Sequence, residues 1–148
     1  MITRRHLLGT IATALIATPA LARPARLYVK QGFAVSGFDP VAYFDQSQPV
    51  EGQDSYRLHW HNAVWQFASA QNMASFERDP HAYAPQYGGY CAMALAQGKL
   101  TPSIPEAWAI HDGKLYLTHS TQARDQWLQN PDGRIAEANV NWSSLLSG

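Results

Sequence analysis

The chain has 148 residues, with 11 basic and 11 acidic side chains and six histidines, for a formal net charge of zero. Such balance leaves no basic footprint for nucleic acid or anionic lipid, and a single cysteine excludes an intramolecular disulfide. All five tryptophans, seven tyrosines and five phenylalanines fall after residue 22, which points to an aromatic-rich core.

Residues 1–22 read as an export signal. Arg4-Arg5 precede an apolar run from Leu7 to Ile16, and Ala20-Leu21-Ala22 supplies a small-x-small cleavage site. The arginine pair followed by leucine resembles the twin-arginine type, with an ordinary secretion signal as the alternative. The run is shorter than the roughly 20 residues of a permanent span, and no later segment is long and apolar enough. The mature chain is therefore expected in the periplasm or otherwise exported, without a membrane span. Cleavage leaves residues 23–148 as one domain of 126 residues. Arg4 and Arg5 go with the signal, so nine basic side chains then face 11 acidic ones.

Phe33-Ala34-Val35-Ser36 begins as a short strand, and Gly37-Phe38-Asp39-Pro40 turns out of it. Tyr56, Leu58 and Trp60 alternate with Arg57, His59 and His61, the period of a half-buried strand. His61-Asn62 then turns into a second strand, Val64 to Phe67. Ser69 is placed to cap a helix bearing Met73 and Phe76, which Asp79-Pro80 stops. A second short helix is expected from about Gly89 through Leu95, with Gly98 past its end. Trp108 to His111, Asp112-Gly113 and Lys114 to Leu117 form the clearest local pattern, a hairpin with a two-residue turn. Ser120 caps a helix carrying Ala123 and Trp127, and Ile135, Ala138 and Trp142 mark a last helix closing over the sheet. The fold class is α+β, a small antiparallel sheet packed by several short helices.

Chemistry concentrates at Tyr87-Gly88-Gly89-Tyr90-Cys91-Ala92, which sets two phenols and two glycines beside the only thiol. Adjacent glycines admit φ > 0 and close approach of the backbone to another group. In the first turn of a helix, Cys91 would meet a partial positive charge that favours an anionic sulfur; as a small hydrophobe it would simply be buried. Tyr87 and Tyr90 can stack on a ligand or hydrogen-bond it. His59 and His61, two apart on a strand, share a face and form a candidate imidazole pair for a transition metal, or else part of a solvated surface. Asp39 before Pro40 is a ligand candidate, or turn chemistry. The tryptophans read as core. No phosphate-cradling glycine loop, Gly-x-Ser-x-Gly elbow or His-Glu-x-x-His occurs.

Four segments together resemble one family. They are Gly37-Phe38-Asp39-Pro40-Val41-Ala42-Tyr43-Phe44; Trp65 to Asn72 with Phe76, Pro80 and Tyr83; Ala84 to Ala92; and Gly113-Lys114-Leu115-Tyr116-Leu117. The combination is similar to exported bacterial proteins with a YHS domain, over about Val35 to Trp142. Short YHS modules attached to metal-transporting ATPases share the pattern, and the resemblance implies heavy-metal handling. Those modules carry cysteines where this chain has Ala42, Ala68 and Asn72, so three thiolate ligands that the resemblance implies are missing. A thiolate-rich site needs several soft donors on one ion.

Three readings of function follow. The first is a non-enzymatic, exported YHS-type binding domain that holds a transition metal ion, or a small metal-bearing ligand, near Cys91. Its metal ligands would come from Cys91, His59 and His61, and its ligand contacts from Tyr87, Gly88, Gly89, Tyr90 and Asp39. The second is a thiol-dependent enzyme or redox protein using Cys91. The third is a structural or interaction module with a buried thiol. The surroundings of the Cys91 sulfur separate them: several donors favour metal, one histidine favours thiol chemistry, and an apolar shell favours structure.

Overall fold

The computed structural model describes residues 26–147; the expected export signal and its cleavage site lie outside the described residues. The fold is α+β. Strands β1 (Val29–Lys30), β2 (Phe33–Ala34), β3 (Gln53–Trp60) and β4 (Ala63–Phe67) form one sheet in the order β1-β2-β4-β3. Two of its pairings are antiparallel, but β2 runs parallel to β4 through Phe33 and Val64, so this sheet is mixed. Strand β2, expected to begin at Phe33 and run to Ser36, ends at Ala34. Val35 and Ser36 take left-handed backbone, φ 50° and 53°, which no strand accommodates.

Two hairpins match the local sequence signals. His61 and Asn62 join β3 to β4 with φ of 50° and 61°, the paired left-handed values of a primed two-residue turn. Strands β5 (Ile104–His111) and β6 (Lys114–Thr118) pair separately from the first sheet, with Asp112 and Gly113 turning at φ 49° and 73°.

The helices are short except the last. After α1 (Ala42–Asp45), α2 (Ala70–Arg78) starts where Ser69 Oγ accepts the Asn72 N–H at 3.1 Å. Asp79-Pro80 ends it but also opens α3 (Pro80–Tyr83), because proline is well suited to a first helical turn. Helix α4 (Ala92–Ala96) begins later than expected: Tyr87, Gly88 and Gly89 are all left-handed, at φ 56°, 61° and 80°. Ser120 caps α5 (Thr121–Trp127), and α6 (Pro131–Ser147) completes the chain's described part.

The β5–β6 hairpin is the common wall of two cores, as strand alternation permits. Leu115 and Leu117 face the first sheet, packing with Trp65, Phe67 and Phe76. Tyr116 and Ala109 face the opposite way and pack with α4, Trp127 of α5 and Ala138 of α6. The expectation of an aromatic-rich core holds for Trp65 and Trp127, both wholly buried, whereas Trp60 and Trp142 are only partly covered.

Asp39, read from the sequence as a ligand candidate or as turn chemistry, has a structural task at the turn. It is fully buried, and Oδ1 accepts the N–H groups of Val41 and Ala42 at 2.8 and 3.3 Å. Its Oδ2 accepts the Ala68 N–H at 2.8 Å and Asn72 Nδ2 at 2.7 Å. The carboxylate thus joins the turn before α1 to the β4–α2 junction, and its oxygens are occupied. Asp39→Ala leaves four donors, three of them buried, without their acceptor and is expected to cost about 3 kcal/mol or more, read from urea denaturation. A loss below 1 kcal/mol would contradict this role.

Two glycines with left-handed backbone separate conformational from steric cost. A Cβ at Gly113 would meet nothing within 4 Å, whereas one at Gly88 would overlap the carbonyl of Arg26. Gly113→Ala is expected to lose about 1 kcal/mol from backbone strain alone. Gly88→Ala is expected to lose distinctly more and to detach the segment Arg26–Tyr28, whose Tyr28 N–H donates to Gly88 O at 2.9 Å. Hydrogen exchange at Tyr28 checks the second point.

Candidate functional site: the Cys91–His119 pair

Cys91 is wholly buried and serves as the N-cap of α4. Its backbone is fixed from both sides: its N–H donates to Thr101 O at 2.9 Å, and its C=O accepts the Leu95 N–H at 3.0 Å. The sulfur accepts the Ala94 N–H at 3.3 Å, the bond a serine or aspartate side chain ordinarily takes at this position. A hydroxyl would cap at least as well, so capping alone does not call for sulfur.

On its other side Cys91 Sγ lies 3.1 Å from His119 Nδ1. His119 follows the last residue of β6 and precedes the Ser120 cap of α5. Thr118 locks that junction, with Oγ1 within donating distance of Ala107 O at 3.1 Å and Ser120 O at 2.9 Å. The imidazole is exposed while the sulfur beneath it is not. A proton on the S···N line sits on sulfur when Nδ1 is the acceptor, or on Nδ1 when sulfur is the acceptor. Transfer between them converts a neutral pair to thiolate and imidazolium with no change of heavy-atom positions, the arrangement of an activated cysteine nucleophile.

The other expected site residues are dispersed. His59 is exposed on β3, opposite Val64. His61 leaves that strand's alternation at the left-handed turn and stacks on Trp60, with ring centroids 3.8 Å apart. It lies 6.3 Å from the ring of His81 instead. The close approach allowed by Gly88 is to the chain's own Arg26–Leu27 backbone, and Gly89 O accepts from Ser103 Oγ at 2.5 Å. Tyr87 Oη is 2.9 Å from Asn139 Oδ1 on α6, and Tyr90 packs near Tyr28 and Trp142. Among the described residues, one grouping of three potential metal ligands occurs, His111, Asp112 and Asp132, and it includes none of Cys91, His59 or His61. There His111 Nε2 is 2.8 Å from Asp132 Oδ1, tying the β5–β6 turn to the start of α6 at the surface.

His119 stands at the end of a predicted strand and matches no motif, so nothing in its own sequence position marks it. The usable signal was Ser120: a capping serine directly after a strand fixes the backbone on which His119 stands. Comparisons with family models, with curated proteins and with solved structures gave no match.

The phenols around the two cores give a pH test. Burial pushes the Tyr43 and Tyr87 hydroxyls well above the usual tyrosine range, helped by Glu106 and Asp39 near Tyr43 and by Tyr116 near Tyr87. Tyr43 Oη also donates to Pro105 O at 2.9 Å. A pKa raised by folding contributes stability below the unfolded value and loses it above. Past about pH 10, each of these two tyrosines should subtract about 1.4 kcal/mol per pH unit. Urea midpoints at pH 9, 10 and 11, with tyrosinate absorbance followed in parallel, should show stability falling. Ionisation of all seven tyrosines in the folded protein near pH 10 would contradict the assignment.

Proposed function

We propose that the protein is an exported, periplasmic module of YHS type that acts as a thiol redox centre, with Cys91 as the reactive sulfur and His119 as its proton partner. The observation that carries the reading is the 3.1 Å separation between Cys91 Sγ and His119 Nδ1. A sulfur with one imidazole neighbour fits thiol chemistry better than a multi-donor metal centre. Export is supported by the Arg4-Arg5 pair, the apolar run after it and the Ala20-Leu21-Ala22 site.

The oxidant class is a small hydroperoxide, since the sulfur is covered and admits no bulky electrophile without opening. His119 takes the thiol proton; the sulfur lone pair attacks the terminal peroxide oxygen and the O–O bond breaks. The leaving alkoxide or hydroxide collects the proton, giving Cys91 sulfenic acid and an alcohol or water. The chain has no second cysteine to resolve this state. Resolution therefore needs the site to open: a small external thiol then forms a mixed disulfide with loss of water, and a second releases Cys91 as thiol and departs as its own disulfide.

The test is the rate of Cys91 oxidation by hydrogen peroxide, followed by sulfenic-acid trapping and intact mass. Wild type is expected to trap once. His119→Gln, which keeps a polar side chain but cannot accept the proton, is expected to react at least tenfold more slowly with an unchanged melting temperature. Equal rates in the two proteins, or reaction only in denaturant, would overturn the proposal.

The same two atoms also support a second reading, a soft metal ion held between sulfur and imidazole. Stoichiometric metal in protein from its native compartment, lost in Cys91→Ser, would select that reading instead.

A further inference from the structure

A cleft of about 760 Å³ opens between the segment after residue 25, the β3–β4 turn, α3 with the turn that follows it, and α6. Its size lies within the range of small-molecule sites. Two of the expected ligand contacts, Tyr87 and Gly88, line it; Cys91 and His119 do not.

Three features of the lining define what it would take. Arg26, His61 and His81 line the cleft, so it can offer one guanidinium and two imidazoles, and among the described residues no aspartate or glutamate lines it. That is a local departure in a chain with as many acidic as basic side chains. Trp60 and Trp142, both half-buried, contribute aromatic surfaces, whereas Tyr87 is buried behind them against Tyr116 and Trp142. The imidazoles are also held in place. His61 stacks on Trp60 at an interplanar angle of 24°, and His81 meets the same indole edge-on at 5.2 Å and 77°. His61 holds a left-handed φ of 50°, so the turn carries a side chain where glycine would be easier.

We infer that this cleft is a binding site for a small aromatic carboxylate. The carboxylate lies between the Arg26 guanidinium and the His61 and His81 imidazoles, and the ring system lies against Trp142. Guanidinium and imidazole N–H groups both suit a carboxylate, and an indole face suits a planar ring.

The probe is 2-naphthoate, titrated into the purified protein by calorimetry, with 2-naphthamide and 2-naphthylmethylamine as neutral and cationic counterparts. Saturable one-to-one binding of the acid is expected, at least tenfold tighter than either counterpart. Arg26 and His81 are exposed, so Arg26→Gln and His81→Gln should keep the wild-type melting temperature and each weaken the acid about tenfold. Cys91→Ser should leave naphthoate affinity unchanged, which keeps this site's failure distinct from failure of the thiol proposal. Equal affinity for acid and amide, no saturable binding, or binding that requires an added transition metal would each overturn the inference. If a variant unfolds, the comparison of the three probes on wild type still decides it.

Discussion

Four donors converge on the Asp39 carboxylate, and the rest of the first core is arranged around that convergence. A carboxylate removed from water is tolerable only when its oxygens are met by donors, and here the donors come from two separated stretches of chain. Val41 and Ala42 supply N–H groups from the turn before α1, while Ala68 and Asn72 supply theirs from the β4–α2 junction. The bond set determines where α1 lies against β4. It therefore also sets where Tyr43 can reach across to the Pro105 carbonyl at the start of β5. In this way the first sheet and the second hairpin acquire a fixed relation through polar contacts, with the side chains of Leu115 and Leu117 filling the space between.

The hairpin then transmits that placement to the thiol. Its far face carries Ala109 and Tyr116 into the core that holds α4, and its last residue, Thr118, anchors the junction on which His119 stands. Cys91 approaches from a different part of the chain, pinned by Thr101 and by its own helix. The S···N distance is accordingly a product of tertiary structure, because 28 residues separate the partners. An exposed imidazole above a covered sulfur makes proton exchange with water possible while restricting what else arrives.

What was legible in the sequence were signals complete within a few residues. Asp112-Gly113 announced its turn because both left-handed positions are adjacent, and Ser69 and Ser120 announced their helices because a cap bonds only two or three residues ahead. Features that depend on distant chain were not legible. The His59–His61 pair followed from strand alternation, but alternation stops where backbone turns left-handed, and His61 went to Trp60 and His81. Gly88-Gly89 did mark a close backbone approach, yet nothing local could say that its object was the Arg26 carbonyl. His119 carried no sequence mark of its own at all.

The choice of sulfur at the α4 cap bears on how the molecule works. Oxygen side chains cap helices more strongly than a thiol, and a buried cysteine beside alanines and leucine would otherwise be indistinguishable from filler. Neither capping nor packing needs an imidazole at 3.1 Å; both would be satisfied with the His119 position occupied by any strand-end residue. What the imidazole adds is a site for a proton that sulfur must release before it can donate its electron pair. Capping and proton acceptance act on opposite sides of the same atom, since the Ala94 N–H holds the sulfur in place while His119 can take its hydrogen. The helix start therefore fixes the position of the sulfur, and the end of β6 supplies the group that can change its protonation.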